Sequence, residues 1–216
     1  MRLTDDLENN ILVYGDLTLR LNLAFDVVLR ARELQMDDSF SQAEKIDIQC
    51  EMFVENYEDI IDLDILTKTK IVSAIYEQFI FDGESLAQDD GEPVFDFEQD
   101  AKYIYASFMY DYGIDLFEQQ GKLHWKKFVA LLSSLSEESK FGRVVGIRTA
   151  KVPKPTKHNQ EERRQLMRLK RLYRLRPIGQ TKEAQLKALD NRIAGFIDQL
   201  KPLKPSKKGG NPNGRR

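Results

Sequence analysis

Cysteine, histidine and long apolar runs are all scarce in this chain, and each scarcity removes a class of function. Cys50 is the only cysteine, so no internal disulfide can form, which suits a reducing compartment. The two histidines, His124 and His158, are far apart, and neither stands at a helical i,i+4 spacing from the other or from Cys50, so no metal site is expected. His124, next to Trp125 at an expected helix start, has the ordinary role of a local hydrogen-bonding group. No stretch approaches the roughly 20 apolar residues of a membrane-spanning helix, and the opening MRLTDDLENN is too acidic for a secretory signal. The chain is therefore expected in the cytoplasm where it is made, with no membrane partner.

A phosphate-cradling loop is missing too, because Gly142-Arg143-Val144-Val145-Gly146 lacks both the spacing and the lysine of that motif. The carboxylate pairs Asp37-Asp38, Asp89-Asp90 and Glu137-Glu138 fall at expected turns or helix starts, where solvated acids are common. An active pair needs an enclosed cleft to shift its pKa. No catalytic residue, metal ligand or cofactor is expected, and the chain reads as a non-enzyme.

What the chain has in quantity is charge, unevenly divided. Residues 1–150 carry 30 acidic and 14 basic side chains, whereas residues 151–216 carry 5 and 19. With 41% hydrophobic and 31% charged residues the composition is that of an ordinary globular protein. The expected fold class is mainly α: a compact acidic domain of about five helices over residues 1–152, a Pro/Lys linker over 153–158, a basic helical hairpin over 159–201 and a disordered basic tail over 202–216. The boundary rests on Val152-Pro153-Lys154-Pro155, where proline forbids a helix and the charge changes sign.

Along the body, Met1 to Tyr14, with its short apolar run Ile11 to Tyr14, reads as a lead-in. Asp16 to Leu21 alternates as a short strand without an obvious partner, and Asn22 is a plausible cap for a helix reaching Gln35. Met36 to Ser39 is a turn. Ser41-Gln42-Ala43-Glu44 has the capping-box pattern and opens a helix burying Ile46, Cys50, Phe53, Val54 and Tyr57. A further helix over 66–81 sets Ile71, Val72, Ile75 and Phe79 inward, and the acidic residues 82–92 read as an exposed loop.

The chain is organised around residues 96–148. Tyr105, Phe108 and Tyr112 recur at helical steps ahead of Gly113, which can end that helix in the left-handed conformation, and Trp125, Phe128, Val129, Leu132 and Leu135 form a second apolar face. Tyr105, Phe108, Tyr112, Trp125, Phe128 and Leu132 are the expected core, while Phe141 to Ile147 is ambiguous between helix and extended strip. Tyr103 and Tyr110 lie off the main stripe; core packing is the commoner role for aromatics, and a surface that accepts an amphipathic helix is the functional alternative.

The successions YIYASFMYDYGIDL, LHWKKFVALLSSL and FGRVVGIR resemble the central region of a family of small tail-assembly proteins from siphovirus-like bacteriophages and prophages of Gram-positive hosts. The resemblance is most specific over residues 96–148, weaker over 16–81, and does not extend past about Val152. It implies a non-enzymatic tail-assembly chaperone. Such a protein binds the aggregation-prone tape measure protein in the host bacterial cytoplasm and is absent from the finished particle; the major tail protein is a further candidate partner.

Beyond the boundary, Asn159-Gln160-Glu161-Glu162 starts a helix whose Leu166, Leu169, Leu172 and Tyr173 form an apolar stripe among arginines. Leu186, Leu189, Ile193, Phe196 and Leu200 then alternate steps of three and four, a short seam suited to a hairpin partner or to a second copy, so a homo-oligomer is expected. Arg163, Arg164, Arg168, Arg171 and Arg174 suit an acidic protein partner. Their alternative is nucleic acid, which makes a DNA- or RNA-binding regulator the rival to the chaperone. A merely solvated charged helix is the commonest role of such a surface.

Overall fold

A β-hairpin opens the computed structural model, which describes residues 4, 6–7, 10–81 and 93–176. Strand β1 (Ile11–Tyr14) pairs antiparallel with β2 (Leu17–Arg20), and Gly15, at φ 59°, supplies the positive φ of the tight turn between them. Leu12 and Leu19 face each other in register and are both buried, whereas Ile11 and Val13 point outward. The segment expected to be a lead-in is thus the partner that the alternating stretch required.

The next expectation to change is the cap at Asn22. Helix α1 (Phe25–Gln35) begins later, with Ala24 in the capping position, because residues 20–25 are held extended between two other parts of the chain. On one side Asn22 N–H donates to Phe53 O and Glu55 N–H to Arg20 O. On the other, Phe25 N–H donates to Leu123 O and Trp125 N–H to Leu23 O. Asn56, buried, ties β2 to the segment just after residue 53 by accepting from Arg20 N–H at 2.8 Å and donating to Thr18 O at 3.0 Å.

Helix α2 (Gln42–Phe53) starts with the capping box read from the sequence: Ser41 Oγ accepts from Glu44 N–H, and Glu44 Oε2 accepts from Ser41 N–H at 2.8 Å. The Ser41 hydroxyl and N–H both donate to the Glu44 carboxylate and hold its pKa below the usual range. A short 3-10 turn (Tyr57–Asp59) leads to α3 (Ile65–Ile75), capped by Asp64, and α3 runs on as a π-helical turn (Tyr76–Ile80) rather than as regular helix to residue 81. The acidic loop expected at 82–92 lies outside the described residues.

Helices α4 (Ala101–Tyr112), α5 (Trp125–Ser133) and α6 (Lys140–Thr149) form the other half of the core. Gly113 ends α4 in the left-handed region at φ 64°, as read from its position. Phe128 is the hub: its ring stacks on Phe25 of α1 at 4.8 Å, on Phe108 of α4 at 5.3 Å and on Trp125 at 5.7 Å between centroids. Trp125 also donates from Nε1 to Ile80 O at 3.3 Å, joining α5 to the π turn. Of the six expected core residues, Phe108, Trp125, Phe128 and Leu132 are buried, and Tyr105 and Tyr112 are half-buried with their hydroxyls donating to Asp115 and to Leu131 O.

The ambiguous strip at 141–147 is helical, capped by Ser139, so the described residues before the Pro/Lys segment hold six α-helices. Helix α7 (Gln160–Leu172) follows it. Chain contacts divide the molecule into a unit Met1–Leu175, which takes in both the Pro/Lys segment and α7, and a unit Arg176–Arg216. The boundary read from composition lies at 152. Beyond Arg176 the second unit is outside the described residues, and with it the expected second hairpin helix and the tail. The described residues are mainly α, and none of their helices is long and apolar enough to cross a membrane.

Two substitutions on α6 separate packing from propensity. A Cβ on Gly142 would stand 2.2 Å from Ser136 O, whereas one on Gly146 meets nothing within 4 Å. Gly142→Ala is expected to cost about 1–3 kcal/mol by overpacking, and Gly146→Ala to gain about 0.5–1 kcal/mol from helix propensity, both read by chemical denaturation.

His124 gives a pH test. Its Nδ1 accepts from Lys126 N–H at 3.0 Å as the cap of α5, which leaves Nε2 to carry the proton and face Asn10 Oδ1 at 3.2 Å. Burial, assisted by Lys126 and Lys127, pushes its pKa from 6.5 down to about 4. The unfolded ring takes up a proton that the folded ring refuses across that window, so stability falls as pH drops from 6.5 toward 4. His124→Asn keeps a capping acceptor without the titration, and its denaturation midpoint is expected to fall less than that of the wild type between neutral pH and pH ~5.

Candidate partner-binding surfaces

Arg148, near the end of α6, gathers four parts of the chain. Its guanidinium donates from Nη1 to Asp100 Oδ2 at 2.6 Å and from Nη2 to Oδ1 at 2.8 Å, a bidentate pair in which the Arg148 and Asp100 side chains are 11% and 1% exposed. Nη1 also reaches Val94 O at 3.1 Å, and Nε donates to Tyr173 O at 2.6 Å. From α7, Lys170 Nζ donates to Arg148 O, and Arg163 Nη1 donates to Pro153 O. Helix α7 is thus fastened to the body by polar contacts, and none of its own residues is buried.

These contacts decide where the sequence-predicted partner residues lie. Tyr103 is half-buried under Tyr173, ring centroids 6.1 Å apart, and the Lys140 ammonium bridges the two rings at 5.7 and 5.0 Å while donating to Tyr173 Oη at 2.9 Å. Its surface is therefore occupied by α7. Tyr110, one further pair of turns along α4, is 68% exposed. Arg164 pairs weakly with Glu161 at 3.7 Å in solvent, and Arg168, Arg171 and Arg174 are exposed, whereas Arg163 is half-buried against the body. Leu186, Leu189, Ile193 and Phe196 lie outside the described residues.

Two apolar surfaces are left uncovered among the described residues on this side of the molecule. On α7 the stripe is split: Tyr173 packs on the body and Leu166 is half-buried, while Leu169 and Leu172 remain 37% and 69% exposed beside the arginines. On the outer face of α4, Tyr105 packs on Phe117 at 5.2 Å, and Met109 and Phe117 are 41% and 70% exposed. Asp115 accepts the Tyr105 hydroxyl, which raises that phenol's pKa and gives the surface an acidic edge.

A third surface lies between α2 and α3. An open groove there is lined by Ala43, Glu44, Asp47, Leu63, Ile65 and Lys68, with Ile61 and Leu66 exposed alongside. Its floor is an internal ion pair: Lys68 Nζ, buried, donates to Asp47 Oδ1 at 2.6 Å and to Ile61 O at 2.8 Å, and contacts Tyr57 Oη at 3.3 Å. Burial opposes the Lys68 charge, but the bonds to Asp47 and Tyr57 outweigh it and raise its pKa, while the Lys68 bond lowers that of Asp47. Cys50 lies behind this pair with its thiol pushed up to about 11 by burial, so it is not a reactive nucleophile.

Sequence reasoning did not find the Arg148–Asp100 or Lys68–Asp47 pairs. Each joins residues distant in sequence, and isolated charges on helices read as solvated.

A family model described as "Bacteriophage Gp15 protein" matches residues 3–175. No curated protein and no solved structure matches the chain.

The Arg148 contacts carry a prediction. Arg148→Ala leaves the Asp100 carboxylate buried without its partner and is expected to cost about 3–5 kcal/mol in chemical denaturation, with much of that recovered in Arg148→Met/Asp100→Leu. A loss below about 1 kcal/mol for the single variant, the scale of an exposed pair, contradicts this account of the site.

Proposed function

The chain belongs to the bacteriophage Gp15 protein family, and from that premise we propose that it is a non-catalytic assembly protein, a tail-assembly chaperone whose client is the tape measure protein. The match spans residues 3–175, nearly the whole of the unit Met1–Leu175. The single structural observation that supports the reading is the apolar face of α4. Half-buried Tyr105 packs on the exposed Phe117, and Met109, one helical turn further along α4, is exposed too, with Tyr110 exposed on the flank of the same helix. Helical clients are bound by such surfaces, and methionine adapts to varied side chains where one binder must accept a long, repetitive partner. In this reading the protein works in the host cytoplasm, in several copies along the client, and leaves before the particle is complete. The major tail protein is a second candidate partner.

The reading is tested by co-expression with the tape measure protein encoded beside it. Soluble client is expected to rise several-fold with the wild type and to return toward the client-alone level with Met109→Ser/Phe117→Ser. These side chains are exposed, so the variant should melt with the wild type. No rise in soluble client, together with retention of duplex DNA by the purified chain at physiological salt, overturns the chaperone reading in favour of the nucleic-acid-binding regulator.

A further inference from the structure

We propose that the acidic groove between α2 and α3 of one copy receives the free face of α7 from a second copy, so that the chain associates head to tail. Each half of the contact is exposed within the same unit. The donor is an amphipathic helix whose Leu169 and Leu172 its own body does not cover and whose Arg164, Arg168 and Arg171 stand in solvent. The acceptor is a groove with Ala43, Leu63 and Ile65 in its walls and Ile61 and Leu66 at its edge, exposed by 53% and 71%.

Charge complementarity selects the occupant. Glu44 lines the groove, Asp62 and Asp64 flank Leu63 of its wall, and Glu58 is exposed in the turn that leads to α3; although Lys68 lies in the floor, that ammonium is spent on Asp47, Tyr57 and Ile61 O. Lys70 is an exposed cation on α3, which still leaves the surface net acidic. A basic helix with an apolar row fits such a surface, and α7 is one. Its 13 residues span roughly 20 Å, close to the length of the 12- and 11-residue helices that wall the groove.

Donor and acceptor occupy different faces, so the contact is heterologous. Each added copy presents a fresh groove or a fresh helix, and association proceeds to open chains or a closed ring rather than stopping at a two-fold dimer. The contact uses neither Met109 nor Phe117, so it leaves the proposed client surface open and does not depend on the client's identity.

Sedimentation velocity of the purified full chain tests it. The wild type is expected to show concentration-dependent species larger than a dimer at low salt, and to lose them at ~1 M salt, where screening shortens the reach of charge to about 3 Å. The helix variant Leu169→Ser/Leu172→Ser and the groove variant Glu58→Lys/Asp62→Lys are each expected to weaken association tenfold or more. All four side chains are exposed, and a melt matching the wild type confirms that each variant folds. If either fails to fold, Arg164→Glu/Arg168→Glu replaces the first and Leu66→Ser the second.

The decisive sample is the mixture. The helix variant keeps a native groove and the groove variant keeps a native α7, so together they should form a one-to-one pair and nothing longer. A mixture that stays monomeric overturns the proposal, as does a wild type that is monomeric at low salt. A helix variant that assembles like the wild type also overturns it, because α7 is then not what fills the groove. None of these outcomes involves the client, so they are separate from the co-expression result.

Discussion

The guanidinium of Arg148 is the point on which the arrangement of the surfaces depends. It lies against the Asp100 carboxylate in a site that nearly excludes water, and a charge there is tolerable only when it is fully partnered. Four partners supply this: the two Asp100 oxygens, Val94 O and Tyr173 O. The first three fix the approach to α4 against α6; the fourth reaches to the end of α7. A buried ion pair is weak evidence for net stability, since a well-packed apolar substitute often does as well. What this pair adds is register, because its donors fit only one placement of Tyr173. Once Tyr173 is placed, Tyr103 is covered, and Leu169 and Leu172 are left facing solvent.

The uneven charge of the sequence thereby acquires a physical meaning. The basic residues of α7 divide into Arg163 and Lys170, which donate to backbone carbonyls of the same unit, and Arg164, Arg168 and Arg171, which face solvent. The acidic residues divide likewise. Asp100 is partnered inside, Asp47 is partnered at the edge by the buried Lys68, Glu44 and Asp64 cap helices, and Glu58 and Asp62 stay at the surface. The solvent-facing part of each set stands beside exposed aliphatic side chains, the composition expected of a surface that meets another polypeptide.

Much of the interior was legible because it is written in local spacing. Phe108 and Phe128 sit where helical periodicity puts them, Ser41 and Glu44 form their box three residues apart, and Gly113 ends α4 as a glycine without a Cβ penalty can. What escaped notice depends on residues distant in sequence. Asn22 has the chemistry of a cap, but hydrogen bonds from the 53–55 and 123–125 segments hold it in an extended strip. Ile11 to Tyr14 needed a turn at Gly15 to be recognised as a strand. Tyr103 reads from its spacing as core or as a surface that accepts a helix, and nothing local announces that Tyr173, 70 positions on, lies over it. The prolines at 153 and 155 do end a helix, but the chain resumes in α7 and returns to Arg148, so a composition break and the end of a folded unit fall at different places.

Amide hydrogen exchange across α7 in the free full-length chain tests the central claim most directly, namely that a helix with no buried residue of its own is held to the body by the Arg148 contacts and offers its leucines outward. Protection of residues 163–172 well above the unstructured rate, lost in Arg148→Ala while α5 keeps its protection, is the predicted result. Exchange of those amides at the unstructured rate in the wild type would contradict it.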